Sequence, residues 1–339
     1  MAMMQTGLFD WQTRFDQLND GGDPLVKLNK MINWKTFRKP LEKVRDKERK
    51  SAAGRKPFDV VMMFKILILQ SLYNLSDDQT EYQIRDRLSF MRFLDLSLGD
   101  TVPDAKTIWL FREQLTNAGL IENVFKKFDK FLRNSGFTAK KGQIVDASIV
   151  RAPKQRNSRD ENKQIKNGNT PKGWSENKKR QKDTDARWTK KNGKAFYGYK
   201  NHVSVDVKHK FVRSYDVTDA SVHDSNVFED LLDRENSSCD VWADSAYRSS
   251  EKLEKLEKRG FREHIQRKGS RNRKLTQWEL KGNHTRSKIR SRVEHVFGIQ
   301  AQRAGNLLLR CIGIVRAKAK IGLRNLAYNI DRYATLSSE

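Results

Sequence analysis

The sequence predicts an α/β protein, a mixed sheet flanked by helices, preceded by an all-helical N-terminal domain. Three observations carry that reading. Before about residue 135, apolar residues recur at helical spacing. From about Gly142, short Val- and Ile-rich runs alternate with amphipathic stretches. A length of 339 residues suits two domains, placed at 1–135 and 136–339.

Composition narrows the function. Lys and Arg total 68 against 42 Asp and Glu, a formal net charge of +26. That surplus calls for a polyanionic partner, nucleic acid first and an acidic membrane surface second. Hydrophobic residues at 37% permit packed cores, and 32% charged residues with 6 prolines argue against wholesale disorder. Cys239 and Cys311 are too few for a disulfide scaffold or a Cys-rich zinc module. The run around Ile66 to Leu69 is far short of a membrane span. MAMMQTGLFDWQ lacks the basic start and apolar stretch of a signal peptide. A cytoplasmic protein without membrane contact is expected.

The first fifty residues are polar with scattered aromatics, Phe9, Trp11, Phe15, Trp34 and Phe37, and read as short helices. KVRDKERKSAAGRK reads as an exposed basic connector. Pro57 then suits a helix's first turn, and Val60, Phe64, Leu67, Ile68 and Leu72 give the helix a buried face. Ser76 and Gln79 have capping-box spacing, with Asp77 and Asp78 at the positive helix end. That second helix runs through Tyr82, Ile84 and Leu88. A third starts near Asp104, with Ile108, Phe111 and Leu115 on one face. Three short helices under a basic surface suit a helix-turn-helix-like DNA binder or a plain helical bundle.

GQIVDASIV reads as a buried strand. Between Arg151 and Lys200 stand 16 Lys/Arg and 5 Asp/Glu with almost no aliphatic residues. The part at about 151–195 is therefore expected to be a mobile basic insertion that orders on DNA. Arg187, Trp188, Lys190, Lys191, Lys194 and Lys200 are its DNA-binding candidates, Trp188 as a base-stacking aromatic or packed back on the sheet. YKNHVSVDV and KFVRSYDVTD alternate as a hairpin around VKHK. A helix near Ser225–Leu232, a strand at CDVWAD, an amphipathic helix at Ser249–Lys258 and a strand at FREHIQ follow. One long helix is expected from Thr285 to Gln302, and one or two helices close the chain with Ile321, Leu323, Leu326 and Ile330 inward.

Three acids stand out. Asp146 and Asp244 are read at the ends of strands, and Glu294 in the helix RSRVEHVFG. Alone, each has an ordinary explanation: a strand-end Asp forms turns, and Glu294 pairs with Arg290 four residues earlier. Together in one cleft they repel unless cations are present, which implies hard divalent metal, Mg²⁺. Two such ions activate a water or a 3′-hydroxyl at a phosphodiester. Asp146, Asp244 and Glu294 are thus both catalytic and metal-ligating candidates, with Arg290 and His223 in support. The order β-β-β-α-β-α-β-α with acids in those places fits an RNase H-like fold.

IVDASIVRAP, DTDARWTKKNGKAFYGYKNHVSVD, DASVHDS, VWADSAY, RSRVEHVFG and LRNLAYNI follow one another in this order. So arranged, they resemble the bacterial insertion-sequence transposases of the DDE type, in the group named after insertion sequence five. The helical segments GRKPFDVVMMFKILILQSLYNLSDDQTEYQIRDRLSFMRFL and VPDAKTIWLFREQL resemble that family's N-terminal domain. The related signature places Tyr three residues before the Arg and a phosphate-contacting Lys seven after the Glu. Here those positions are Ser287 and Ala301. The resemblance implies a transposase that binds terminal inverted repeats, cuts the ends and joins the 3′-hydroxyls to target DNA. It would use two Mg²⁺ ions, with Mn²⁺ able to substitute, and work as a dimer on two DNA ends within the nucleoid. A nuclease on the same fold without strand transfer, or a DNA-binding protein descended from a transposase, are the rival readings.

Overall fold

The computed structural model describes residues 10–45, 56–270, 273–305 and 308–337. The basic connector expected from Lys43 lies mostly outside them, as does Phe9. The chain forms two compact units, Met1–Leu120 with Ile330–Glu339, and Ile121–Asn329.

The first unit is helical. It holds α1 (Asp10–Asp20), α2 (Pro24–Met31), α3 (Arg38–Glu42), α4 (Val60–Tyr73), α5 (Asp77–Asp86), α6 (Leu88–Phe93) and α7 (Ala105–Asn117). The helix expected from Pro57 starts three residues later. Asp59 is its cap, its carboxylate accepting from the Val61 and Met62 amides. Ser76 caps α5 by accepting from the Gln79 amide at 3.1 Å. The helix expected to pass through Leu88 instead ends at Asp86, and Leu88 opens α6. VVMMFKILILQSL is apolar almost all round, so α4 is buried on nearly every side. Trp34 sits edge-on to Phe93 with centroids 5.4 Å apart. The charges buried here are paired: Arg112 grips both Asp77 oxygens at 2.6 and 2.7 Å, and Lys65 reaches Asp95 at 2.6 Å. No single helix among the described residues is long and apolar enough to cross a membrane. Only α4 and α5 taken together pass that test, and they are bent by 103°.

The second unit begins with α8 (Leu120–Asn134), a stretch that the expected boundary at 135 places in the N-terminal domain. Then come β1 (Gln143–Arg151), α9 (Arg159–Lys166), α10 (Glu176–Gln181), β2 (Arg187–Lys191), β3 (Lys194–Asp206), β4 (Val212–Asp219), β5 (Asp240–Ala243), α11 (Ser250–Lys258) and β6 (Arg262–Ile265). α12 (Gln277–Arg290), α13 (Arg292–Ala304) and the part of α14 (Ile314–Leu336) up to Asn329 complete it. β4, β3, β1, β5 and β6 lie side by side, antiparallel as far as β1 and parallel beyond it. That is the RNase H-like arrangement, with β2 added to β3 as a sixth strand. Val145, Val241, Ala243 and Ile265 pack with Phe228, Tyr247 and Leu256 on one face. Val150, Tyr199 and Val217 pack with Ala317 and Ile321 of α14 on the other.

Three expectations are corrected. The basic insertion is built, not structureless. Ser158 and Glu161 close a capping box on α9, and Trp174 is buried, its indole N–H donating to Glu161 at 2.5 Å. Buried Asp183 accepts from the Tyr199 hydroxyl at 2.7 Å and fixes the insertion to the sheet. One aromatic and one buried carboxylate do what the missing aliphatics were expected to do. Second, residues 225–232 form no helix, only two 3₁₀ turns at Asp224–Asn226 and Glu229–Leu231. Third, the long helix from Thr285 is two helices. α12 starts earlier, at a Thr276–Glu279 capping box, and the chain breaks at Ser291 before α13.

Gly198 is required where three strands meet. It pairs with both Arg151 and Arg187, at φ +149°, and any Cβ there would collide with the Val150 carbonyl.

Candidate active site

Asp146 is not at a strand end, as expected, but fourth in β1. The pairing with β5, however, stops at Ile144 opposite Trp242. Carried two residues further, that parallel register sets Asp146 beside Asp244. The two residues also share a face, since side chains alternate along each strand. Asp244 follows the last residue of β5 and caps a 3₁₀ turn, accepting from the Ala246 amide at 2.8 Å. α12 packs against β5 and α13 against β1.

Arg290 ends α12 and Glu294 lies in the first turn of α13. One guanidinium nitrogen of Arg290 meets Asp146 Oδ2 at 2.6 Å, and the other meets Glu294 Oε1 at 3.1 Å. Arg290 therefore bridges two of the three acids. Burial pushes the Asp146 carboxyl above its ordinary range; the Ala147 amide and Arg290 pull against that, and Asp244 adds to it.

Other groups gather here that sequence reasoning did not single out. Asp224 forms an ion pair with Lys200 at 2.8 Å. Tyr247 is fully buried, and its hydroxyl makes no hydrogen bond among the described residues. Burial raises its pKa well above the ordinary value, and the charges of Asp146, Asp224 and Asp244 raise it further, so the phenol stays protonated beside them. Its signal was its place in VWADSAY, three residues after Asp244. His223 is exposed and turned to Ser225, with Nδ1 2.8 Å from Oγ. Among the described residues it makes no hydrogen bond or ion pair with the three acids.

The family described as Transposase DDE domain matches residues 138–330, more than half of the chain. The chain belongs to the DDE transposases. A second family, described as a transposase domain, matches residues 13–114. A solved structure of a piggyBac transposase synaptic complex with hairpin DNA is similar over 93% of this chain and 76% of that chain, at 13% identity and a TM-score of 0.46.

Within this DDE transposase the DNA-binding candidates divide. Arg187 is held by the carbonyls of Ala186 and Ile165 at 3.1 and 3.0 Å. Lys200 is held by the Val222 carbonyl at 2.6 Å as well as by Asp224. Both serve the scaffold. Trp188, Lys190, Lys191 and Lys194 are exposed on the β2–β3 hairpin. Its turn is Asn192–Gly193, with φ of 50° and 75° as a tight hairpin demands. Trp188 packs one edge on Tyr197, and the Lys154 ammonium lies 5.9 Å from its ring. Lys191 is close enough to draw the Asp146 pKa downward.

Among the described residues, no three His, Cys, Asp or Glu side chains converge as a metal site would require. Asp146 and Asp244 still suit a hard cation: both are oxygen donors on one face. Mg²⁺ typically takes only one or two protein carboxylates and fills its shell with water and substrate oxygen. Glu294 stands apart, tied to Arg290, with its side chain 63% exposed.

Proposed function

We propose that the chain binds the terminal inverted repeats of an insertion sequence of the insertion-sequence-five group, hydrolyses the ends and joins the 3′-hydroxyls to target DNA. The observation that carries this reading is the β1–β5 register. Its last pair is Ile144 with Trp242, and continuing it by two residues would bring Asp146 beside Asp244 on the side where α12 and α13 pack, in a chain of the DDE family. Asp146, Asp244 and Glu294 are the proposed catalytic and metal-holding acids. Two Mg²⁺ ions, or Mn²⁺ in their place, would supply activation of the attacking oxygen and stabilisation of the leaving one.

The protein's own groups have separate tasks. β1 and β5 hold Asp146 and Asp244 on a rigid sheet, where carboxylate geometry is fixed before DNA arrives. Arg290 balances the acids' charge and orients Asp146 and Glu294. Tyr247 keeps a protonated donor beside them. The hairpin carrying Trp188, Lys190, Lys191 and Lys194 is proposed to follow the DNA backbone next to the acids, with Trp188 available to stack on a base. Joining two ends requires two active sites, so the working form is a dimer on DNA in the nucleoid.

Labelled terminal-repeat DNA incubated with the protein and Mg²⁺ tests the reading. Cut ends and joined products are expected, and Asp146→Asn should give neither. Cutting without joining would leave a nuclease. Repeat binding with no cutting by the wild type would leave a DNA-binding protein.

A further inference from the structure

Beyond the acids lies a cavity of about 190 Å³. Ser148, Arg151, Phe297, Ala301 and Arg324 are among its lining residues. It continues the acids' own floor and wall. Ser148 stands two residues along β1 from Asp146, on the same face and about 7 Å further on. Phe297 and Ala301 follow Glu294 by three and seven residues, on one face of α13.

Arg324, on α14, is half-buried and lines this cavity. The fully buried arginines have carboxylate partners, Arg112 with Asp77 and Arg213 with Asp129 and Asp206, whereas half-buried Arg187, Arg259 and Arg292 are held by backbone carbonyls. Among the described residues no carboxylate pairs with Arg324. Its Nη2 donates to the carbonyls of Gln300 and Gly305, and its Nη1 is buried without a partner among the described residues. Burial alone brings its pKa down to about 10, so it remains charged at neutral pH. Capping the end of α13 accounts for Nη2 but leaves Nη1 and the desolvated charge unexplained. A desolvated charge is costly until an opposite charge meets it. The Ser148 hydroxyl, also without a hydrogen bond among the described residues, adds a free donor. Arg151 is exposed and set over the Phe196 ring at 5.0 Å, a second cation at the cavity.

We infer that Arg324, with Ser148 and Arg151, forms a subsite for a phosphodiester of the DNA backbone, within about two nucleotides of the bond that Asp146 and Asp244 address. The inference rests on the function proposed above. An anion there would take the vacant donors and pay for the charge that α14 buries. It would also fix the strand's register relative to the acids, so Arg324 is a positioning residue.

The test uses terminal-repeat DNA carrying one neutral methylphosphonate at successive positions around the cut. Arg324→Gln should slow cleavage roughly 10- to 100-fold, the worth of one or two charge-assisted hydrogen bonds. One neutral linkage within two nucleotides of the cut should slow the wild type equally and leave Arg324→Gln unchanged. Ala301→Lys added to Arg324→Gln places a new cation in the same cavity and should restore rate on the normal DNA. Losses that multiply at every linkage, or a rate that follows a lowered melting temperature and is not rescued by Ala301→Lys, would reduce Arg324 to a helix cap. Inorganic phosphate that stabilises the wild type but not Arg324→Gln, without any linkage coupling, would make this a small-anion site and overturn the DNA assignment. Binding of the same DNA set to Asp146→Asn keeps the two readings apart. If that variant still cleaves, the proposed function fails, while the coupling at Arg324 remains measurable in affinity.

Discussion

Replacing Arg290 by Gln removes a cation that touches both Asp146 and Glu294. The Asp146 contact is 2.6 Å long, between side chains 20% and 14% exposed. Exposed ion pairs are worth about 0–1 kcal/mol, and loss of one partner of a buried pair costs about 3–5 kcal/mol. This pair lies between, so about 2 kcal/mol is expected. The Glu294 contact adds little, because that side chain is 63% exposed. For a unit of this size 2 kcal/mol corresponds to a melting shift of roughly 4–8 °C. The deficit has a pH signature. Asp146 is a carboxyl raised by burial, so its ionisation costs stability, and that cost grows as pH rises through the carboxylate range. Without Arg290 the carboxyl is raised further. The deficit of Arg290→Gln should therefore be full at neutral pH and shrink as the pH falls and Asp146 takes up a proton. Thermal melts between pH 4 and 8 measure this. Millimolar Mg²⁺ should stabilise the variant at least as much as the wild type, because the ion no longer competes with a guanidinium. A variant as stable as the wild type at pH 7.5, or equally impaired at every pH, would refute the bridging role.

Four further outcomes are expected. Asp146→Asn, Asp244→Asn and Glu294→Gln should each abolish end cleavage in Mg²⁺ while repeat affinity, measured by gel shift, changes little. Repeat affinity should fall by roughly 10³ or more between 50 and 200 mM salt if six or more phosphates are contacted, as a fluorescence titration would show. Changing Lys190, Lys191 and Lys194 together to Gln should flatten that salt slope by about one for each lysine that meets a phosphate. Arg213→Met leaves the fully buried Asp206 without the guanidinium 2.9 Å away, while Asp129 keeps Arg133, and should cost about 3–5 kcal/mol in urea unfolding.

The strands that were legible in the sequence are those that bury a face. β1, β3, β4 and β5 carry Val, Ile or aromatic residues at alternate positions, and each contributes to a core cluster. β2 does not: Arg-Trp-Thr-Lys-Lys has no apolar alternation, because it only extends β3 at the rim. Its signal was the Asn192–Gly193 turn, where both residues take positive φ. α9 was equally available from Ser158 and Glu161, three residues apart, but the charge count around them hid it. The 3₁₀ turns at 224–231 looked like a helix because Phe228, Leu231 and Leu232 are spaced as one, and all three are buried without it.

The site divides along the same physical line. A carboxylate on or just after an apolar strand is a local feature, so Asp146 and Asp244 could be picked out singly. Their relation is not local, since it depends on β1 and β5 pairing in parallel across a gap of 98 residues. Arg290 shows the limit most clearly. Its spacing to Glu294 invited the reading of an ordinary i,i+4 pair within one helix. The pair exists, but the helix breaks between its members at Ser291, and the closer partner of Arg290 is Asp146, 144 residues away. No spacing rule reaches that contact. What the sequence does contain is its electrostatic necessity: acids brought onto one face need a cation, and in a chain with 26 surplus positive charges an arginine is at hand to supply it. The same necessity runs in reverse at Arg324, where a cation is half-buried and no acid among the described residues meets it.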